Sequence, residues 1–279
     1  MSEGQTILLG ALAGFTIILG LPLGRVRRAT PQLCASLSAI ATGILLFLLW
    51  DVLVHGVEPV EEALIEATNN GGSWATFAGL AFLLAGGLAA GLMSLVYYDR
   101  SIKRRRARPT GADAASGSRP GTLLERLTPA HQLALLIAVG IGLHNFGEGL
   151  AIGQSAAAGE LSLALALVIG FALHNATEGF GIVGPMSGEP APPRWAFLAL
   201  LGLIGGGPTF LGTIVGQAWV SEAVSVTFFA VAAGSILYVI QELFNVNRRF
   251  SYPVVGTWML LVGLLLGYGT DFVLEAVSA

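Results

Sequence analysis

Apolar residues gather in eight stretches along the chain, near 5–23, 33–57, 74–98, 131–154, 161–184, 195–219, 223–245 and 252–275. Each is about as long as a helix needs to cross a bilayer core of ~30 Å. Such a pattern predicts an all-α membrane protein of eight transmembrane helices. The polar positions between them are sorted by charge. All 14 basic residues fall in alternate connections: Arg25, Arg27 and Arg28 after helix 1; Arg100, Lys103 to Arg106, Arg108, Arg119 and Arg126 after helix 3; Arg194 after helix 5; Arg248 and Arg249 after helix 7. The positive-inside rule puts those connections in the cytoplasm and both termini outside.

Composition agrees. Hydrophobic residues make up 54% of the 279 and charged residues only 11%, against about 25% charged in soluble domains. Residues 1–279 are read as one transmembrane domain, a multi-pass membrane protein with the lipid bilayer as its solvent. The start, Met1-Ser2-Glu3-Gly4, lacks the positive segment of a signal peptide, so the first apolar stretch is expected to remain in the mature protein. Glycine pairs Gly10/Gly14, Gly87/Gly91, Gly212/Gly216 and Gly263/Gly267 let helices approach closely, in a tight bundle or across a homodimer. Cys34 is the single cysteine, which excludes an internal disulfide, and with four Met it leaves little sulfur for Cu(I).

Two connections carry unusual polarity. Residues 99–129 are rich in Arg, Gly, Ser, Ala and Pro and are expected to form a disordered basic cytoplasmic loop. Its Lys103–Arg108 run serves as a topology anchor or meets anionic headgroups. The other loops offer no second basic face, which argues against nucleic acid as a partner. After helix 2 the chain is acidic. If the helix runs on, Asp51, His55, Glu58 and Glu62 share one face. They form either a negative mouth that concentrates cations or an ordinary solvated helix end.

The chemistry is concentrated in a repeated hexapeptide, His144-Asn145-Phe146-Gly147-Glu148-Gly149 and His174-Asn175-Ala176-Thr177-Glu178-Gly179. Within each copy His and Glu stand four positions apart, about 40° around a helix, so both point one way. Gly159 lies midway between His144 and His174 in the short connection Gln154–Glu160. Helices so joined are antiparallel neighbours, and residues equally far from the turn lie at equal depth. Twelve to fifteen positions correspond to roughly 20 Å, near the bilayer centre. Ionisable groups there are costly unless compensated. Two imidazoles and two carboxylates suit Zn²⁺, Fe²⁺ or Mn²⁺, and Asn145 and Asn175 can add oxygens. A structural hydrogen-bond cluster and a proton relay are the competing readings.

These motifs resemble the ZIP (Zrt/Irt-like) family of divalent-metal transporters. The segment Leu143–Gly153 resembles its fourth-helix signature and Leu173–Gly179 its fifth, close to the bacterial branch, which implies the cell (inner) membrane. The resemblance implies a 3+2+3 arrangement of helices with inverted outer triplets and a metal site between helices 4 and 5. It also implies uptake into the cytoplasm, with Zn²⁺ the usual transported ion, Fe²⁺, Mn²⁺ or Cd²⁺ as alternatives, and no prosthetic group. By the same resemblance His144, Asn145, Glu148, His174, Asn175 and Glu178 are metal ligands. On helix 7, Gln241 takes the place of a family His while Glu242 keeps the carboxylate, as an exit-side group or an interfacial ion-pair partner.

Three positions depart from the family pattern. Gly147 and Thr177 replace the Pro that precedes each motif Glu, and Gly207 replaces a Glu before Pro208 that bridges two metals in bacterial relatives. One principal metal site is therefore expected. Two other functions compete with metal transport. An intramembrane metal-dependent hydrolase lacks a base, since Asn145 and Asn175 stand beside each His where zinc proteases place Glu. A proton-coupled transporter of another solute would use His144 and His174 as relay groups.

Overall fold

A computed structural model of the chain describes residues 2–25, 30–69, 71–106, 127–159, 161–186, 189, 191–218 and 221–278. Among them are eight helices long and apolar enough to cross a membrane. They are α1 (Glu3–Phe15, continued by 3₁₀ turns Thr16–Leu19 and Leu21–Arg25), α2 (Pro31–Asn69), α3 (Trp74–Arg106), α4 (Pro129–Ala157), α5 (Leu161–Val183), α6 (Trp195–Ala218), α7 (Glu222–Arg249) and α8 (Pro253–Ser278). The described residues contain no strand.

Local chemistry sets several of these ends. Ser2 and Gln5 form a reciprocal capping box at α1. Thr128 caps α4 ahead of Pro129, whose missing N–H costs nothing in a first turn. Gly159, at φ +84°, reverses the chain between α4 and α5, a backbone conformation that side chains rarely adopt.

Three boundaries differ from the hydropathy pattern. Helix 2 continues past residue 57 to Asn69, because Val60, Ala63 and Ala67 stay buried in helical phase while Glu58, Glu61, Glu62 and Glu66 face out. At 39 residues it is roughly 58 Å long, nearly twice the hydrocarbon thickness. Val60 and Ala63 pack with Leu80 and Val226 in a small separate core. Helix 3 runs to Arg106, so the first part of the expected loop 99–129 is helical. Residues 107–126 of that loop lie outside the described residues. Helix 1, expected to be continuous over 5–23, instead gives way to 3₁₀ turns after Phe15.

Glycine governs how the helices meet. A Cβ on Gly43 or Gly263 would strike the facing backbone across α2 and α8, as would one on Gly91 or Gly234 across α3 and α7. Gly149, Gly153, Gly212 and Gly216 do the same between α4 and α6. The four GxxxG pairs are thus all occupied inside one chain, and Gly10/Gly14 lie against Thr213, Gly206 and Thr209. Several main contacts are related when α1, α2, α3 and α4 are exchanged with α6, α7, α8 and α5: α2–α8 becomes α3–α7, and α4–α6 becomes α1–α5, whereas α2–α3 and α5–α8 have no comparable counterpart. With eight spans alternating in direction, α1 opposes α6, α2 opposes α7 and α3 opposes α8, as a 3+2+3 inverted arrangement requires. Among the described residues, Arg25, Arg100, Arg104, Arg194, Arg248 and Arg249 belong to the end of the bundle opposite the first turn of α1 and the last turns of α8.

Candidate metal site

α4 and α5 are uninterrupted helices, and each holds its His and Glu on one face. His144 Nε2 lies 3.3 Å from Glu148 Oε1, and His174 Nε2 lies 3.4 Å from Glu178 Oε1. The two faces meet. Ligand atoms of His144, Glu148 and His174 come within 4.8 Å of one another, and the imidazole centroids are 6.0 Å apart. Glu178 joins through His174.

Burial is nearly complete. Asn145, Asn175 and Glu178 are fully enclosed, and His174 is the most accessible of the six at 7%. Yet many of their polar atoms lack a hydrogen bond: both nitrogens of His144, Nε2 of His174, both carboxylate oxygens of Glu178 and Oδ1 of each Asn. The His–Glu approaches are in ion-pair range without hydrogen-bond alignment. Buried polar atoms left so are costly. Imidazole nitrogen, carboxylate oxygen and amide oxygen are also the donors that a borderline divalent cation takes.

The asparagines are held by their amide nitrogens. Asn145 Nδ2 donates to the Gly205 carbonyl at 3.0 Å, while Asn175 Nδ2 donates to the Ala13 carbonyl at 3.2 Å and to Glu148 Oε2 at 3.3 Å. Both amide oxygens are left unpaired. Neither carbonyl is evident in the motif; the signals were the glycine-rich segments of α1 and α6.

The two replacements of Pro have local reasons. A Cβ at Gly147 would stand 2.5 Å from the Phe229 ring, so glycine admits α7 to the site. The Thr177 hydroxyl donates to the His174 carbonyl at 2.7 Å, which occupies that oxygen instead of freeing it. At Gly207 a Cβ would meet only the Leu203 side chain, at 3.5 Å.

A cavity of about 120 Å³ joins Glu148 and His174 to the bundle end that carries the termini. Asp51, exposed His55 and Phe47 of α2 line it, with Thr270 and Asp271 of α8. Glu58 and Glu62 lie farther along α2, exposed and outside this lining. Asp271 escaped the sequence reading, although an acid inside the eighth apolar stretch was a signal in itself. At the opposite end, a cavity of about 460 Å³ is lined by Asp99, Glu189, Tyr238, Glu242 and Arg249. Gln241 is exposed and absent from that lining. On α4, fully buried Ile137 and Ile141 separate Gln132 in this second cavity from His144 in the site.

The ZIP Zinc transporter family model matches residues 103–271, which include both hexapeptides. The chain belongs to the ZIP zinc transporter family. Comparison with curated proteins gives no match. As a ZIP protein it is a multi-pass membrane transporter of divalent metal ions and not an enzyme, which sets aside the hydrolase reading. The buried His–Glu cluster between α4 and α5 fits a metal site in such a transporter.

Proposed function

We propose that this ZIP protein carries Zn²⁺ into the cytoplasm, with Fe²⁺, Mn²⁺ and Cd²⁺ as alternative cargo, through His144, Asn145, Glu148, His174, Asn175 and Glu178. One observation carries the reading: three buried ligand atoms lie within 4.8 Å of one another, and neighbouring donors have no hydrogen bond. A divalent cation would offset the cost of burying them.

The ion passes Asp51, His55 and Asp271, sheds water, and binds between α4 and α5. Rearrangement of one helix group against another then opens the site toward Glu242. Binding must offset dehydration and still permit release. Basic residues at the opposite end support an inward direction, with both termini outside and the basic segment 99–129 on the cytoplasmic side. The motif spelling supports the bacterial branch and hence the inner membrane. Gly207, which offers no side-chain ligand, supports one principal ion per chain. A homodimer would use surfaces other than the GxxxG pairs, which are occupied within the chain.

The test is uptake of radiolabelled Zn²⁺ into proteoliposomes. Glu148→Ala and His174→Ala are expected to abolish saturable uptake, and transport at the unaltered rate in either would sink the assignment. Flux of another solute without stoichiometric metal binding would favour a proton relay.

A further inference from the structure

Two cavities of similar size open at the basic end of the bundle, and their linings differ in charge. The one that holds Glu242 also holds Asp99, Glu189 and Arg249. The other, about 510 Å³, lies between the end of α7 and the start of α8, and its one charged residue is Arg248. Arg248 and Arg249 are neighbours in sequence, yet a turn of about 100° sends them to different cavities.

The second lining is divided into two parts. Arg248, Ser251 and Tyr252 supply a guanidinium and two hydroxyls around the first turn of α8, whose amide dipoles also favour an anion. Phe244 and Leu260 supply an apolar wall. Exposed Val254 and Trp258 flank this turn of α8 on the apolar outer surface of a candidate membrane span. A tyrosine and an arginine at the end of a span lie at headgroup depth. Asn247 donates to the Thr42 hydroxyl at 2.9 Å, which fastens this part of α7 to α2 and holds the cavity's inner edge in place.

We propose that this cavity binds an anionic glycerophospholipid of the surrounding leaflet, with its phosphodiester on Arg248 and its acyl chain along Phe244 and Leu260. A lipid is preferred to a soluble phosphate because half of the lining is apolar and its neighbours lie on that apolar outer surface. The absence of a carboxylate among the lining residues sets it apart from the acidic cavity beside it.

Gly256 provides a clean perturbation. It lines the cavity, and a Cβ there meets nothing within 4 Å, so the side chain of Gly256→Leu starts from open space and takes up cavity volume. The full chain, delipidated in detergent, is titrated with phosphatidylglycerol and followed by native mass spectrometry; Zn²⁺ binding and melting temperature check each variant. Arg248→Gln is expected to weaken phosphatidylglycerol about tenfold, the size expected for losing one hydrogen bond to a charged group, and Gly256→Leu to weaken it to a similar extent by occupying the cavity. Arg249→Gln, which removes the same charge from the other cavity, is expected to change it less than about twofold. Equal losses in Arg248→Gln and Arg249→Gln would overturn the site in favour of diffuse attraction. Equal binding of diacylglycerol would overturn it in favour of an apolar crevice, and competition by soluble glycerol phosphate in favour of a phosphate site.

Discussion

The side-chain amide of Asn175 donates to Glu148 Oε2 across 3.3 Å while holding the Ala13 carbonyl at 3.2 Å. One buried side chain thereby ties α1, α4 and α5 together at the depth of the metal site. The 3₁₀ transition after Phe15 lies beside this contact, where the helical hydrogen-bonding pattern of α1 changes. Asn175 thus holds a carboxylate with its nitrogen while its oxygen has no hydrogen bond, as the proposed ligand role requires.

Asn175→Ala should weaken Zn²⁺ binding by about ten- to a hundredfold, the range for groups that orient a metal ligand. It should also cost about 0.5–1.5 kcal/mol of stability through the hydrogen bonds lost to Glu148 and Ala13, the Ala13 carbonyl still accepting from the Thr16 hydroxyl at 2.7 Å. Chelator competition and thermal melting measure the two separately. Binding unchanged in a stable variant would contradict this role.

Gly147→Ala should destabilise the protein by about 1–3 kcal/mol, because its Cβ would stand 2.5 Å from the Phe229 ring. Phe229→Leu should relieve much of that cost in the double variant. Melting of all four members of the cycle gives the coupling, and simple additivity would show that the two residues do not meet.

Gly149→Ala and Gly212→Ala should each lower the yield of folded protein more than Gly79→Ala does. A Cβ at the first two would run into backbone oxygens of Thr209 and Phe146, whereas at Gly79 it meets nothing within 4 Å. Backbone cannot rotate away as a side-chain tip can, so α4 and α6 must separate. Fluorescence-detected size exclusion reads the outcome.

Asp271→Asn should raise the KM for Zn²⁺ uptake several-fold with little change in melting temperature. Asp271 lines the mouth cavity without belonging to the cluster of His144, Glu148 and His174. Its charge acts on the local concentration of cations, so the effect should shrink as salt is raised. An unchanged KM at low ionic strength would count against a role in capture.

Acidification should release the ion. Metal binding needs neutral imidazoles and ionised carboxylates, so protons compete with it at the proposed ligands His144, Glu148 and His174. Affinity should fall on the order of tenfold per pH unit for each proton displaced. Isothermal titration in buffers of different ionisation enthalpy counts those protons, and a pH-independent affinity would argue against these ligands.

The sequence by itself determined the eight spans, the sorting of basic residues to one end and the matched depth of the two hexapeptides. These are properties of single helices and their connections. A bilayer demands about 20 apolar residues per span, and helical periodicity puts residues four apart on one face. The same reasoning stopped helix 2 at residue 57, because it followed hydropathy, and the amphipathic turns up to Asn69 are held by contacts with Leu80 and Val226 instead.

Only the tertiary structure decided which remote groups complete the site. The carbonyls of Ala13 and Gly205 carry no side-chain signature, and Asp271 is about a hundred residues from the motifs. Glycine at Gly147 reads locally as flexibility, yet its use is to admit Phe229 from another helix. Likewise Arg248 and Arg249 look equivalent in the chain and diverge once α7 and α8 pack. Each depends on how two distant helix surfaces fit, and close packing settles that only when the whole bundle is assembled.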